Sequence, residues 1–180
     1  MRDEDRGRRF QEIVLPHLPS AYNLARWLLR NDHDAEDIVQ EAYLRALRFF
    51  DGFRGGDGRA WLLTIVRKSC YTWLEKNSLR QQTDEFDERQ HSTDALSFTG
   101  ENQGNNPETL LSNFEDARRL NGALESLPAE FREALVLREL DNLSYKEIAH
   151  VTLVPIGTVM SRLARGRKML MARLKCKDKS

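Results

Sequence analysis

Between Asn77 and Pro107 the chain almost loses its large apolar residues. Leu79, Phe86, Leu96 and Phe98 stand alone among Gln, Asp, Glu, Ser, Thr, Asn and Gly. Such a stretch cannot bury enough surface to offset its ordering entropy. It is expected to be a linker, disordered in the free chain. The 180 residues therefore divide into two short blocks. Both blocks show helical periodicity. With ten glycines and five prolines, the chain holds few helix breakers. The expected fold class is all-α: two small helical domains, residues 1–80 and 110–180, joined by a flexible acidic linker over 81–109.

In the first block Pro16 and Pro19 interrupt the start, and Ala21, Leu24, Ala25 and Leu28 then share one stripe. Asn31 to Asp34 reads as a turn, with Asp34 as N-cap and Asp37 as an acidic first-turn residue. Ala35, Ile38, Val39, Ala42, Ala46 and Phe49 follow the i, i+3, i+4 rule and predict a helix over about 35–50. Four glycines within residues 51–58 mark a loop. A third helix is predicted over about 59–76, with Trp61 and Trp73 on its apolar stripe and therefore in the core.

The second block opens with Leu110, Leu111, Phe114, Ala117, Leu120 and Leu124 at helical spacing. Pro128 is expected in the first turn of the next helix, which carries Phe131, Ala134, Leu135 and Leu140 and stops near Asp141-Asn142. Ser144 and Glu147 form a capping box. The helix they open must be short, since Pro155 follows, and Pro155 is expected at the first position of another. There Val159, Leu163, Gly166, Leu170 and Leu174 make one buried stripe. Thr158, Ser161, Arg162, Arg165 and Lys168 fall on other faces. A short capped helix, a tight turn and a basic helix form a helix-turn-helix pattern. A helical hairpin with a basic face would look similar.

Charge is unevenly spread. Residues 81–116 hold one basic and nine acidic residues, whereas Pro155 to Ser180 holds eight Lys/Arg and one Asp. That asymmetry suggests a polyanion partner for the C-terminal end. No apolar run approaches the ~18 residues of a membrane span. The charged N-terminus is not followed by an apolar segment of the secretory type, so a cytoplasmic location without membrane insertion is expected. Cys70 and Cys176 suit neither a disulfide framework nor a zinc site. Nucleotide-loop and metalloprotease motifs are missing from the sequence, and the four histidines are dispersed. The expectation is no enzyme: no catalytic residues, no cofactor, no metal and no small-molecule substrate.

Two segments carry a family likeness. Asp34 to Arg48, D-A-E-D-I-V-Q-E-A-Y-L-R-A-L-R, resembles the region 2 helix of bacterial extracytoplasmic-function (ECF) sigma factors, and Trp61-Leu62 with Ile65 and Arg67 looks like the helix that follows it. Leu127 to Leu174 resembles their region 4, through L-P-A-E-F-R-E-A-L-V-L-R-E-L and G-T-V-M-S-R-L-A-R-G-R-K-M-L. The resemblance implies an alternative sigma factor that joins RNA polymerase core and directs it to promoters. Region 2 would dock on the β′ clamp through Asp37, Gln40, Glu41 and Leu44. It would read the −10 element partly as unpaired bases, with Phe53 or Arg54 of the Gly-rich loop stacking on an extruded base and Arg67, Lys68 and Tyr71 touching the strand. From the residues alone that loop reads equally as a plain connector. Region 4 would dock on the β flap and read the −35 element through Thr158, Ser161, Arg162, Arg165 and Lys168. Met160 and Ala164 stand where many relatives carry basic or bulkier residues, so the DNA sequence read is not inferable. His150, where relatives often have an acid or a small residue, is expected at the surface of a helix end. The family also implies an anti-sigma partner.

The residues alone leave a second reading open: an operator-binding regulator with an N-terminal sensor or dimerisation domain. A nucleic-acid-modifying enzyme is a distant third. Residues 81–107 would span about 30 Å as a coil, against roughly 70 Å between promoter elements two DNA turns apart. A free chain that is compact or variable in shape, and that opens on polymerase, is therefore expected.

Overall fold

The structure, a computed structural model, describes residues 2–83 and 107–177. Residues 84–106, which hold most of the expected linker, lie outside the described residues. Eight α-helices order the rest: α1 Arg2–Val14, α2 Leu18–Leu29, α3 Asp32–Phe49, α4 Gly58–Thr83, α5 Pro107–Glu125, α6 Ala129–Leu135, α7 Tyr145–Thr152 and α8 Ile156–Lys177. Among the described residues there is no strand, and no helix is long and apolar enough to cross a membrane.

Helices α1 to α4 form the first domain. Ala35, Ile38, Ala42 and Ala46 line the buried face of α3, against Leu24, Leu28, Leu62 and Val66 in one core. The sequence placed the cap of α3 at Asp34, and the structure moves it. Asn31 is extended, and its side chain accepts from the Asp34 amide at 3.0 Å. The helix therefore begins at Asp32, with Asp32 and Asp34 both in its first turn, where the helix dipole favours acids. Helix α1, which periodicity did not announce, is held from a distance. Phe10 is buried edge-on against Tyr43 and Phe50. Arg6 donates to Asp51 at 2.8 Å and to the Leu47 carbonyl at 2.7 Å. Helix α4 outruns its expected end at Lys76 and continues through polar residues to Thr83.

In the second domain, Pro128 lies one residue outside the expected position. Its extended backbone makes it the N-cap of α6, where its carbonyl accepts from Phe131 and Arg132. After α6 the chain widens into a π turn over Val136–Leu140, closed by the Asp141 amide on the Val136 carbonyl at 3.1 Å. The Ser144–Glu147 capping box is present in both directions, at 3.2 and 2.6 Å. Helix α7 ends at Leu153, whose left-handed backbone (φ 57°) turns the chain. Pro155 again stands just before the helix rather than in it, its carbonyl accepting from Thr158 and Val159. Val159, Leu163 and Gly166 are buried, and Leu170 and Leu174 half-buried. The helix-turn-helix is thus α7, the turn and α8.

The two domains touch. Helix α4 lies against α7, and α2 against α6.

Candidate functional site

The outer face of α3 presents Asp37, Gln40, Glu41 and Leu44 together, all exposed. Glu41 pairs with Arg45 one turn on at 2.8 Å. Leu44 keeps 64% of its surface in solvent. These residues are opposite the stripe that α3 buries, so the fold leaves them in solvent.

The loop between α3 and α4 uses its glycines for shape. Gly55 and Gly56 take φ of 90° and 98°, values that L side chains rarely adopt. The turn sets Phe53 half-buried, stacked on Phe50 at 6.0 Å and tilted against Trp61 at 5.1 Å. Arg54 is exposed beside it. A cleft of about 480 Å³ opens there, walled by Phe53, Arg54 and Trp61 on one side and by Lys146, Glu147 and His150 of α7 on the other. Trp61, expected wholly in the core, is half-buried and shows part of its ring to this cleft.

Arg67, Lys68 and Tyr71 lie along α4, and the structure separates them. Lys68 is exposed, whereas Arg67 and Tyr71 turn towards the second domain. Both bind Glu133 of α6. Arg67 pairs with it through Nε, its Nη2 lies 3.4 Å from Oε2, and the Tyr71 hydroxyl donates to Oε2 at 3.1 Å. The Arg67 guanidinium also stands 4.5 Å over the Tyr71 ring. Burial raises the Glu133 carboxyl above its ordinary value, with Arg67 and Tyr71 opposing the rise. Burial, then the Glu133 charge, pushes Tyr71 up to about 12.

On α8, Ser161, Arg165 and Lys168 are exposed. The Ser161 hydroxyl returns to the Thr158 carbonyl at 3.0 Å, and Thr158 is half-buried. Arg162 is also half-buried, 3.7 Å from Glu130. Met160 lies exposed among them.

Comparison with known proteins identifies these domains. The sequence model of Sigma-70 region 2 matches residues 13–80, and that of Sigma-70, region 4 matches residues 117–170. The chain is 37% identical over 142 residues to the ECF RNA polymerase sigma-E factor of Escherichia coli K12, covering 76% of this chain and 72% of that one. The chain belongs to the ECF RNA polymerase sigma factors. It is also 34% identical over 161 residues to the ECF RNA polymerase sigma factor SigE of Mycolicibacterium smegmatis, covering 89% of this chain and 60% of that one. Among solved structures, the sigma factor RpoE of Bartonella quintana, crystallised with the anti-sigma factor NepR, matches with a TM-score of 0.75 at 29% identity, over 93% of this chain and 97% of that one. CnrH, solved with the cytosolic domain of CnrY, shares the fold at a TM-score of 0.63 and 22% identity, over 94% of this chain and 90% of that one.

In this sigma factor, sequence reasoning missed the residues that join region 2 to region 4. Glu133 falls off the Phe131–Ala134–Leu135 stripe and looks like a surface acid, yet its side chain is fully buried. Arg132 beside it is buried too, closing the end of α5 through the carbonyls of Glu125 (3.1 Å) and Leu127 (2.8 Å). Arg59 donates to the Asp141 carbonyl at 3.0 Å and lies 3.5 Å from Glu147. The partners that Arg59, Arg67 and Tyr71 find in region 4 are 62 to 88 residues away in sequence, so no local pattern announces them. His150 is at the surface, as expected, but on the wall of the cleft.

Proposed function

We propose that this sigma factor binds RNA polymerase core and directs it to promoters with two elements. Region 2, residues 1–80, docks on the β′ clamp through Asp37, Gln40, Glu41 and Leu44. It engages the −10 element through Phe53, Arg54, Arg67, Lys68 and Tyr71. Region 4, residues 110–180, docks on the β flap and reads the −35 element through Thr158, Ser161, Arg162, Arg165 and Lys168, with residues 81–109 linking the two. The observation that carries this reading is the pairing, in one chain, of an exposed polar-apolar face on α3 with an exposed basic helix of a helix-turn-helix. Glycines and aromatic rings beside the cleft suit an unstacked base, and the exposed Arg165 and Lys168 suit a base edge and a phosphate. The protein acts inside the cell with polymerase, as an initiation factor and not as an enzyme. The Bartonella neighbour's anti-sigma partner supports an anti-sigma factor for this chain as well.

The test is permanganate reactivity of thymines on a promoter duplex. Unpaired thymines are expected only when core and this chain are both present. Reactivity with core alone, or sequence-specific duplex binding by the chain alone as a dimer, would refute the reading.

A further inference from the structure

Three arginines of region 2 meet three acids of region 4. Arg26 of α2 lies 3.5 Å from Glu125, Arg59 of α4 lies 3.5 Å from Glu147, and Arg67 pairs with Glu133. They are unequal. The first two pairs are partly exposed, and such pairs contribute little. Glu133 is fully enclosed, and its carboxylate takes both the fork of Arg67 and the hydroxyl of Tyr71. A guanidinium fork and a neighbouring hydroxyl are also the donors that would hold a phosphate oxygen. The same contact brings α7 to the Gly-rich loop, where Lys146, Glu147 and His150 wall the cleft beside Phe53 and Trp61.

We infer that the free chain is latched shut, with the Glu133 carboxylate of region 4 standing in for a backbone phosphate on Arg67 and Tyr71, so that closure and binding of a single strand by region 2 exclude each other. The inference rests on the reading of Arg67 and Tyr71 as strand contacts. A strand can take these donors only when region 4 has moved away. The chain's apparent affinity for single strands is then lowered in proportion to the fraction open. Docking of the two domains on separate parts of polymerase would release the acids and uncover the arginines together.

The experiment measures the whole chain without polymerase: radius of gyration by X-ray scattering, and anisotropy of a short fluorescein-labelled single-stranded DNA of mixed sequence. Glu133→Gln keeps the side-chain shape but removes the charge. Its radius should grow, its helicity should persist, and its strand affinity should rise by about ten- to a hundredfold, the range set by losing one charge-assisted hydrogen bond. Arg59→Ala removes the donor to the Asp141 carbonyl together with the Glu147 pair, breaks the interface elsewhere and should act in the same direction. It decides the matter if Glu133→Gln loses helicity. Wild-type radius and wild-type affinity in the folded variants would overturn the latch. An expanded variant with unchanged strand affinity would overturn the masking. Arg67→Ala tested with core examines the underlying reading separately: full permanganate reactivity there would remove Arg67 from the strand site, whatever the scattering shows.

Discussion

Truncating Leu44 to Ala should separate binding from folding. Leu44 is 64% exposed, so folding has secured only about a third of the 1.5–3 kcal/mol that full burial of such a side chain supplies. Leu44→Ala should therefore cost the fold about 0.5–1 kcal/mol, a shift in Tm of no more than about 4 °C for a chain of this size. The remaining two thirds, about 1–2 kcal/mol, becomes available when a partner covers α3. Removing it should weaken binding to polymerase core by about five- to twenty-five-fold. Ile38, on the opposite face and 5% exposed, is the control. Ile38→Ala should cost about 2–5 kcal/mol of stability. Fluorescence titration of labelled protein into core, beside thermal melts of the same samples, measures both quantities. Unchanged core affinity for Leu44→Ala would refute the assignment of this face, as would a melt as damaged as that of Ile38→Ala.

Arg165→Ala should relax the preferred −35 sequence and cost about 1–3 kcal/mol at the best site, whereas Lys168→Ala should weaken all sequences evenly and reduce the salt slope by about one. Transcription from promoters randomised at −35 separates the two outcomes. Asp141 faces Arg59, Ser20 and Asn23, and burial pushes its carboxyl up to about 6 from 3.8. A raised acid favours the folded state when protonated, so this group's contribution falls as pH rises from about 4 through 6. Asp141→Asn should thus be more stable than wild type at pH 7 but not at pH 4, by urea unfolding at each pH. A Cβ on Gly58 would lie 2.5 Å from Ile13 Cγ2 and 3.0 Å from the Ile13 carbonyl oxygen. Gly58→Ala should therefore cost about 1–3 kcal/mol, and Ile13→Ala in the same chain should restore part of it, as a double-mutant cycle will show.

What the sequence disclosed was what neighbours along the chain decide. The buried stripes of α3 and α8 and the Ser144–Glu147 box each follow from residues within two or three turns of each other. Caps were legible as a class but not to the residue. In Asn31-Asp32-His33-Asp34 every acidic or amide side chain is a credible cap, and only the amide-to-carboxamide bond at 3.0 Å selects Asn31. Helix α1 stayed hidden because its first turns are densely charged, and Phe10 reveals its role only beside Tyr43 and Phe50. The exposed site residues Leu44, Arg165 and Lys168 were readable as gaps in a stripe. Arg67 and Tyr71 were readable as polar residues on α4, but their engagement by Glu133 was not. A buried acid in A-E-F-R-E-A-L looks like any solvated one until its partner, more than sixty residues away, is brought against it.

The most direct measurement is transcription by purified core polymerase on a pool of linear templates with randomised upstream sequence, with and without this chain, followed by sequencing of transcript ends and of the templates that yield them. The expected result is specific initiation only when the chain is present, on templates that share two short elements about two DNA turns apart. Equal transcript profiles with and without the chain, or enrichment of a single palindromic element bound without polymerase, would contradict the assignment of the chain as a promoter-directing subunit.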